Sequence, residues 1–357
     1  MIHLVIAAAV VLALFGRNNK YIHSLPFILL FLVAAIRYQY GNDYASYMEL
    51  FTMIKAGLNP NDGEPLFAVL CQVMPSFYWM IALTSAFFLF MMYRFITKNV
   101  PGEYVWIGVF VFVMNTNLFL MNLSSLRQCL AVMVFILAVD MAYERKPVWY
   151  IVLVALAAMF HKSLWIMLPL YFFITDKPVK IWQVLLVVGG VGLALMLVDL
   201  QALAEQVAAI FNDKNYIFYA QTDLGTSLRA TLLTSFFFAY TLFNLPRMEG
   251  KALAYAKLYL LSPVLGIFAF RMFMFARLQM LFDIFSVVAL PLIFINTQKR
   301  GSIVINQDNV LLTLWDCVNK YAMPVVLVLI CILRYYSFFT NEMWEPFFHY
   351  DTIFSLL

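Results

Sequence analysis

Long apolar runs broken by short polar stretches set the pattern of this chain. The runs cover residues 1–15, 21–36, 75–96, 104–121, 126–143, 147–160, 163–175, 180–198, 229–246, 253–270, 277–296 and 321–337. None alternates with the two-residue period of a barrel strand, and most approach the ~20 apolar residues a helix needs to cross a ~30 Å hydrocarbon core. The pattern predicts an all-α polytopic membrane protein with about 12 (10–13) transmembrane helices, forming a single integral membrane domain over residues 1–357.

Composition narrows the class. Hydrophobic residues make up 64% and charged residues 12% of the 357, against roughly 45–50% and 25% in soluble domains. Disordered, collagenous and disulfide-rich secreted chains and soluble nucleic-acid binders are excluded. The net charge of +4 says less than its distribution. Of the 23 basic residues, 14 fall in one alternating set of loops, which the positive-inside rule makes cytoplasmic. Both ends then lie outside, together with the long segments 37–74 and 199–228 and the aromatic tail 335–357. Residues 1–15 lack a basic n-region and a cleavage site, so they are expected to be a first span rather than a leader. Cys71, Cys129, Cys317 and Cys331 have no metal-ligand spacing and are taken as small apolar residues. No Walker loop, GxGxxG, HExxH or GxSxG is present, and neither metal nor cofactor is expected.

Several polar constellations interrupt this background. Arg37-Tyr-Gln-Tyr-Gly41-Asn-Asp43-Tyr44 follows the second run; it suits either an interfacial arginine among tyrosines or a phosphate- or sugar-binding site. Ser125 and Gln128 fit a capping box at the start of the fifth run, which puts Arg127 in a first helical turn where free N–H groups would favour phosphate. His161-Lys162-Ser163 divides two apolar runs of only 14 and 12 residues, each about 20 Å long as an α-helix and short of the ~30 Å core. His161 is therefore expected below the outer surface in a polar cavity. Arg277 begins the eleventh run, with Asp283 deeper and in need of a partner. Asn61-Asp62-Gly63-Glu64-Pro65 reads as a polar turn. Two segments read as amphipathic interfacial helices: 199–211, with Leu200, Leu203, Val207 and Ile210 on one face, and 43–58, with Tyr44, Met48, Phe51 and Leu58.

Taken in order, Arg37, Asp43 and Tyr44; Glu64, Leu66 and Phe67; Arg127, Gln128 and Ala131; His161, Lys162 and Ser163; and Arg277 resemble the motifs of the EpsG-like family of Wzy-type bacterial polysaccharide polymerases. The resemblance spans about residues 35–295. Two departures are Gly41-Asn42-Asp43 in place of Gly-Thr-Asp, and Pro65 after Glu64. The resemblance implies a glycosyltransferase of the bacterial inner membrane with an outward-facing site. It would join undecaprenyl-diphosphate-linked oligosaccharide units into O-antigen, capsule or exopolysaccharide. Donor and acceptor are both lipid-linked, the surrounding lipids and a chain-length regulator are the other partners, and neither nucleotide nor nucleic acid is involved. The catalytic set is then His161, Arg127, Arg277 and Asp43. Substrate contacts come from Arg37, Tyr44, Glu64, Arg127, Gln128, Lys162 and Arg277. A lipid-oligosaccharide flippase and a glycan ligase are the alternative expectations.

Overall fold

Each apolar run of the sequence becomes a helical segment. The computed structural model describes residues 1–19, 21–58, 63–199, 202, 206, 226–272, 274–299 and 310–356. In chain order the α-helices are α1 (Ile2–Phe15), α2 (Leu25–Ala35), α3 (Tyr44–Lys55), α4 (Pro65–Val73), α5 (Phe77–Asn99), α6 (Val105–Met114), α7 (Leu120–Ser124), α8 (Leu126–Tyr143), α9 (Pro147–Ala158), α10 (Ile181–Leu197), α11 (Leu228–Asn244), α12 (Gly250–Phe268), α13 (Met274–Asp283), α14 (Ser286–Lys299), α15 (Val310–Cys317) and α16 (Met323–Phe338). Two strands, β1 (Arg37–Tyr38) and β2 (Asp351–Thr352), form a small antiparallel pair. The chain divides into one unit of Met1–Ile174 with Thr297–Leu357 and another of Thr175–Asn296.

Five described helical segments are long and apolar enough to cross a membrane: Phe77–Asn99, Leu126–Tyr143, Leu228–Arg247, Gly250–Phe268 and Leu314–Phe338. The pair α13 and α14, bent by 59° at its break, makes a sixth. The expected count of about twelve is not reached by length, because five other runs give helices of only 10–17 residues. The run at 104–121 shows one cause. The Asn117 N–H donates to Asn115 Oδ1 at 3.2 Å, an Asx turn that offers the backbone an alternative to the helix and ends α6 at Met114. The run at 163–175 differs in another way. Lys162–Phe172 winds as a 3₁₀ helix of 11 residues, and at about 2.0 Å per residue it reaches about 22 Å, further than the same residues would as an α-helix.

In the first unit an aromatic cluster joins four helices. Tyr44, Tyr47, Phe51 and Ile54 of α3 pack with Phe67, Ala68 and Cys71 of α4, Phe77, Met80 and Ile81 of α5, and Leu126 and Leu130 of α8. The buried face of α3 thus follows three- and four-residue spacing through Tyr47 and Ile54. The expected face through Leu58 is corrected, since that residue lies beyond the helix and is exposed. The segment 199–211, with its proposed interfacial face, falls almost wholly outside the described residues.

The tail folds back onto the loop after α2. Arg37 pairs with Thr352 and Tyr38 with Asp351. The Gly41 N–H donates to Pro346 O at 3.2 Å and the Ile353 N–H to Ile36 O at 2.9 Å. The Tyr40 ring lies edge-on against Phe347. Gly41 sits at φ +104°, and a Cβ there would meet Ser124 Cβ at 3.0 Å. Gly41→Ala is therefore expected to lose roughly 1–3 kcal/mol from backbone strain alone, and more from the clash. Gly57→Ala is the control, since Gly57 also has positive φ but has open space around it. Thermal midpoints in detergent should fall further for Gly41→Ala; equal losses would show that the contact with Ser124 does not matter.

Candidate functional site

Pro65, an oddity in the sequence, explains how the site is built. Proline is suited to the first helical position because its missing N–H would be unsatisfied there anyway. It opens α4 and leaves Glu64 as the N-cap residue, outside the helix at φ −132°, ψ 62°. One residue on, the Leu66 N–H donates to Met159 O at 3.1 Å. That bond ties the start of α4 to the end of α9, two residues before His161. His161 itself is extended, at φ −152°, ψ 110°, between α9 and the 3₁₀ helix.

Glu64 consequently becomes the hub of the site. Its side chain is only 3% exposed. Oε2 lies 2.5 Å from Arg127 Nη1, and Oε1 lies 2.8 Å from His161 Nδ1. The Lys162 backbone N–H also donates to Oε1, at 3.2 Å. Burial pushes the Glu64 carboxyl upward, but the His161 hydrogen bond and the Arg127 charge outweigh it and hold the group below its usual value. Tyr47 completes the cluster. Its ring faces the Arg127 guanidinium, 5.6 Å from centroid to Cζ, and its hydroxyl accepts from Arg127 N and Nε, each at 3.4 Å. Burial pushes the Tyr47 hydroxyl pKa up, against a partial opposing effect of Arg127.

The loop from Arg37 to Asp43 grips the other side of the same junction. Arg37 is 1% exposed. Its Nη1 donates to Ser85 Oγ at 2.8 Å and to Ala34 O, and its Nη2 donates to Leu123 O at 2.9 Å. Its guanidinium is thus turned into the protein, where the sequence had offered an interfacial or phosphate-binding arginine. Asp43 is the N-cap residue of α3, and its backbone N–H donates to Ser124 Oγ at 2.9 Å. The junction Leu123-Ser124-Ser125-Leu126-Arg127 is therefore held by Arg37 and Asp43 on one flank and by Glu64 and Tyr47 on the other.

Some expected details differ. Ser125 is the N-cap of α8, but no side-chain cap bond forms and its hydroxyl is buried. The S-x-x-Q capping box is corrected: no side-chain cap forms at Ser125, and the Arg127 N–H donates to the Tyr47 hydroxyl. Tyr44 is buried against Phe77, so the tyrosine at Arg127 is Tyr47, one turn along α3. Gln128 is buried, and the Lys162 side chain is exposed. In the second unit, Arg277 lies in the first turns of α13 and is half-buried. Asp283 at the end of α13 accepts from Ser262 Oγ, and its carbonyl accepts from Ser286 Oγ at 2.6 Å. Among the described residues no group of three or more His, Cys, Asp or Glu is placed to hold a metal ion.

The lowered Glu64 value carries a pH dependence. A carboxyl held down in the folded state adds stability that is fully present above its unfolded value, about 4.5, and is lost as pH falls through the folded value. The thermal midpoint of the protein should exceed that of Glu64→Gln at neutral pH, and the gap should close below about pH 4.5. A gap that persists unchanged into acid would show that the pairing contributes nothing.

A helical membrane protein with one buried carboxylate binding an arginine and a histidine is the class these features define. A family model described as the EpsG family matches residues 20–352. The chain belongs to the EpsG family. No curated protein and no solved structure matches it. Family membership points to exopolysaccharide-related polymerisation.

Proposed function

We propose that this protein is a glycosyltransferase that polymerises polyprenyl-diphosphate-linked oligosaccharide repeat units. The observation that carries the proposal is the convergence of Arg127 and His161 on the buried carboxylate of Glu64, in a chain of the EpsG family. The donor is a glycan on undecaprenyl diphosphate, and the acceptor is a hydroxyl of a second lipid-linked unit. As the glycosidic C–O bond breaks, negative charge grows on the diphosphate. A fixed guanidinium beside that charge is the expected catalytic device, and arginine suits it because it binds phosphate in two places at once. Arg127 supplies this charge. Arg37 acts through the Leu123–Arg127 junction that it holds, with Asp43 on the same loop. His161 serves the acceptor hydroxyl.

The shorter apolar helices and the 3₁₀ segment are proposed to cross as well. That restores twelve crossings in a bacterial inner membrane, with the site facing outward. A chain-length regulator is a proposed partner. No nucleotide is required, since the energy arrives in the glycosyl bond to the diphosphate.

The bent pair α13–α14, with Asp283 buried at its break, favours a second reading, because transporters place broken helices at their substrate sites. A deletion strain separates the two. A missing polymerase leaves single lipid-linked units on the outer leaflet, open to an added glycosidase. A missing transporter leaves them protected inside, and that outcome would overturn the polymerase assignment.

A further inference from the structure

We infer that Glu64 is a positioning residue that fixes His161 as the Nδ1–H tautomer, so that Nε2 is the atom that takes the proton from the acceptor hydroxyl. The inference rests on the polymerase reading and assigns the base within it. Three groups point at the Glu64 carboxyl: Arg127 Nη1 at Oε2, and the Lys162 N–H and His161 Nδ1 at Oε1. A guanidinium and a backbone N–H can only donate. A carboxyl paired with a guanidinium at 2.5 Å, with a backbone N–H at 3.2 Å on its other oxygen, is held as the ion and has no proton to give. The third contact, 2.8 Å long, must then be donated by Nδ1. In a neutral imidazole the lone pair is left on Nε2. Glu64 cannot be the base itself, because both its oxygens are occupied and its side chain is 3% exposed, against 24% for His161.

The acceptor O–H proton moves to His161 Nε2 while the oxygen bonds to the anomeric carbon of the growing glycan. The anomeric C–O bond to the diphosphate breaks, and its electron pair leaves with polyprenyl diphosphate beside Arg127. The imidazolium that results faces the Glu64 carboxylate, which stabilises it as a buried carboxylate does in a nucleophile–histidine–carboxylate triad. The proton then passes to solvent. One carboxylate thus holds the base and the leaving-group cation in fixed register.

The test is nitrogen NMR of ¹⁵N-histidine protein in detergent, with the His161 signals identified by their loss in His161→Gln. The expected wild-type spectrum at mildly alkaline pH shows Nδ1 protonated and Nε2 bare. Glu64→Gln should remove the preference for that tautomer, because its single oxygen cannot accept both from Arg127 on one side and from His161 and the Lys162 N–H on the other. Polymer formation by Glu64→Gln should fall about 10²- to 10⁴-fold, the usual worth of general-base help, with the acid limb of its pH–rate profile displaced. A wild-type ring protonated on Nε2, or on both nitrogens throughout the active pH range, would overturn the inference. The wild-type spectrum decides this even if Glu64→Gln does not fold. Because the spectrum needs no substrate, the expected tautomer without any polymer product would sink the polymerase reading and leave the positioning role standing.

Discussion

Arg127→Ala should abolish polymer formation, and for two separable reasons. The first is catalytic: removing one donor aimed at developing charge costs about 10²–10³ in rate. The second is structural. Glu64 is buried, and deleting the partner of a buried ion pair strands a charge at a cost of about 3–5 kcal/mol. Arg127→Lys separates them. Lysine keeps a positive charge for Glu64 and so keeps the fold, but it offers a point charge where arginine offers a planar fork. The expected outcome for Arg127→Lys is a near-normal thermal midpoint in detergent with at least about a 10²-fold loss of product. Wild-type chain lengths and rates from Arg127→Lys would remove Arg127 from the leaving-group role.

Arg37→Ala is expected to act on the fold instead. The buried guanidinium donates to Ala34 O, Ser85 Oγ and Leu123 O. Hydrogen bonds from charged groups contribute about 1.5–3 kcal/mol each, and truncation also leaves a cavity. The sum rivals the roughly 5–15 kcal/mol by which a folded protein is stable. Little folded protein should be recovered from membranes, and what is recovered should melt early. Full recovery at the wild-type midpoint with loss of product alone would instead make Arg37 a substrate ligand.

Much of this architecture is legible in the sequence, because apolar runs report helices directly. Every run of the sequence coincides with a helical segment. What hydropathy does not report is how tightly a run winds or where a side chain interrupts it. The 3₁₀ winding of Lys162–Phe172 and the Asx turn at Asn115 are both local hydrogen-bond choices inside apolar sequence. The site follows the same division. Arg127 and His161 stand out as ionisable groups in apolar surroundings, since such groups are costly at membrane depth and are functional hypotheses by default. That Glu64 joins them is not visible, because the three are far apart in sequence and meet through tertiary packing, by the α4–α9 tie at Leu66 and Met159 and the packing of α4 on α8. Tyr47 was within reach: it falls three residues after Tyr44 on an aromatic face, and the face through Ile54 contains it where the face through Leu58 does not. The burial of Arg37 is hidden for a different reason. An arginine that ends an apolar run usually snorkels to the interface, and nothing in the sequence announces the buried acceptors at Ser85 and Leu123. Nor does it announce that the tail covers the loop through β1 and β2.

The most direct test is a reconstitution. Purified protein in detergent would be mixed with the host's undecaprenyl-diphosphate-linked repeat unit, without nucleotide, and the glycan run on a gel beside Arg127→Lys and His161→Gln. The expected result is a ladder of whole repeat units from the wild type, with release of undecaprenyl diphosphate, and a lane of unpolymerised unit from each variant. Folded wild-type protein that leaves the unit unchanged, or variants that build the same ladder, would contradict polymerisation at the Glu64–Arg127–His161 site.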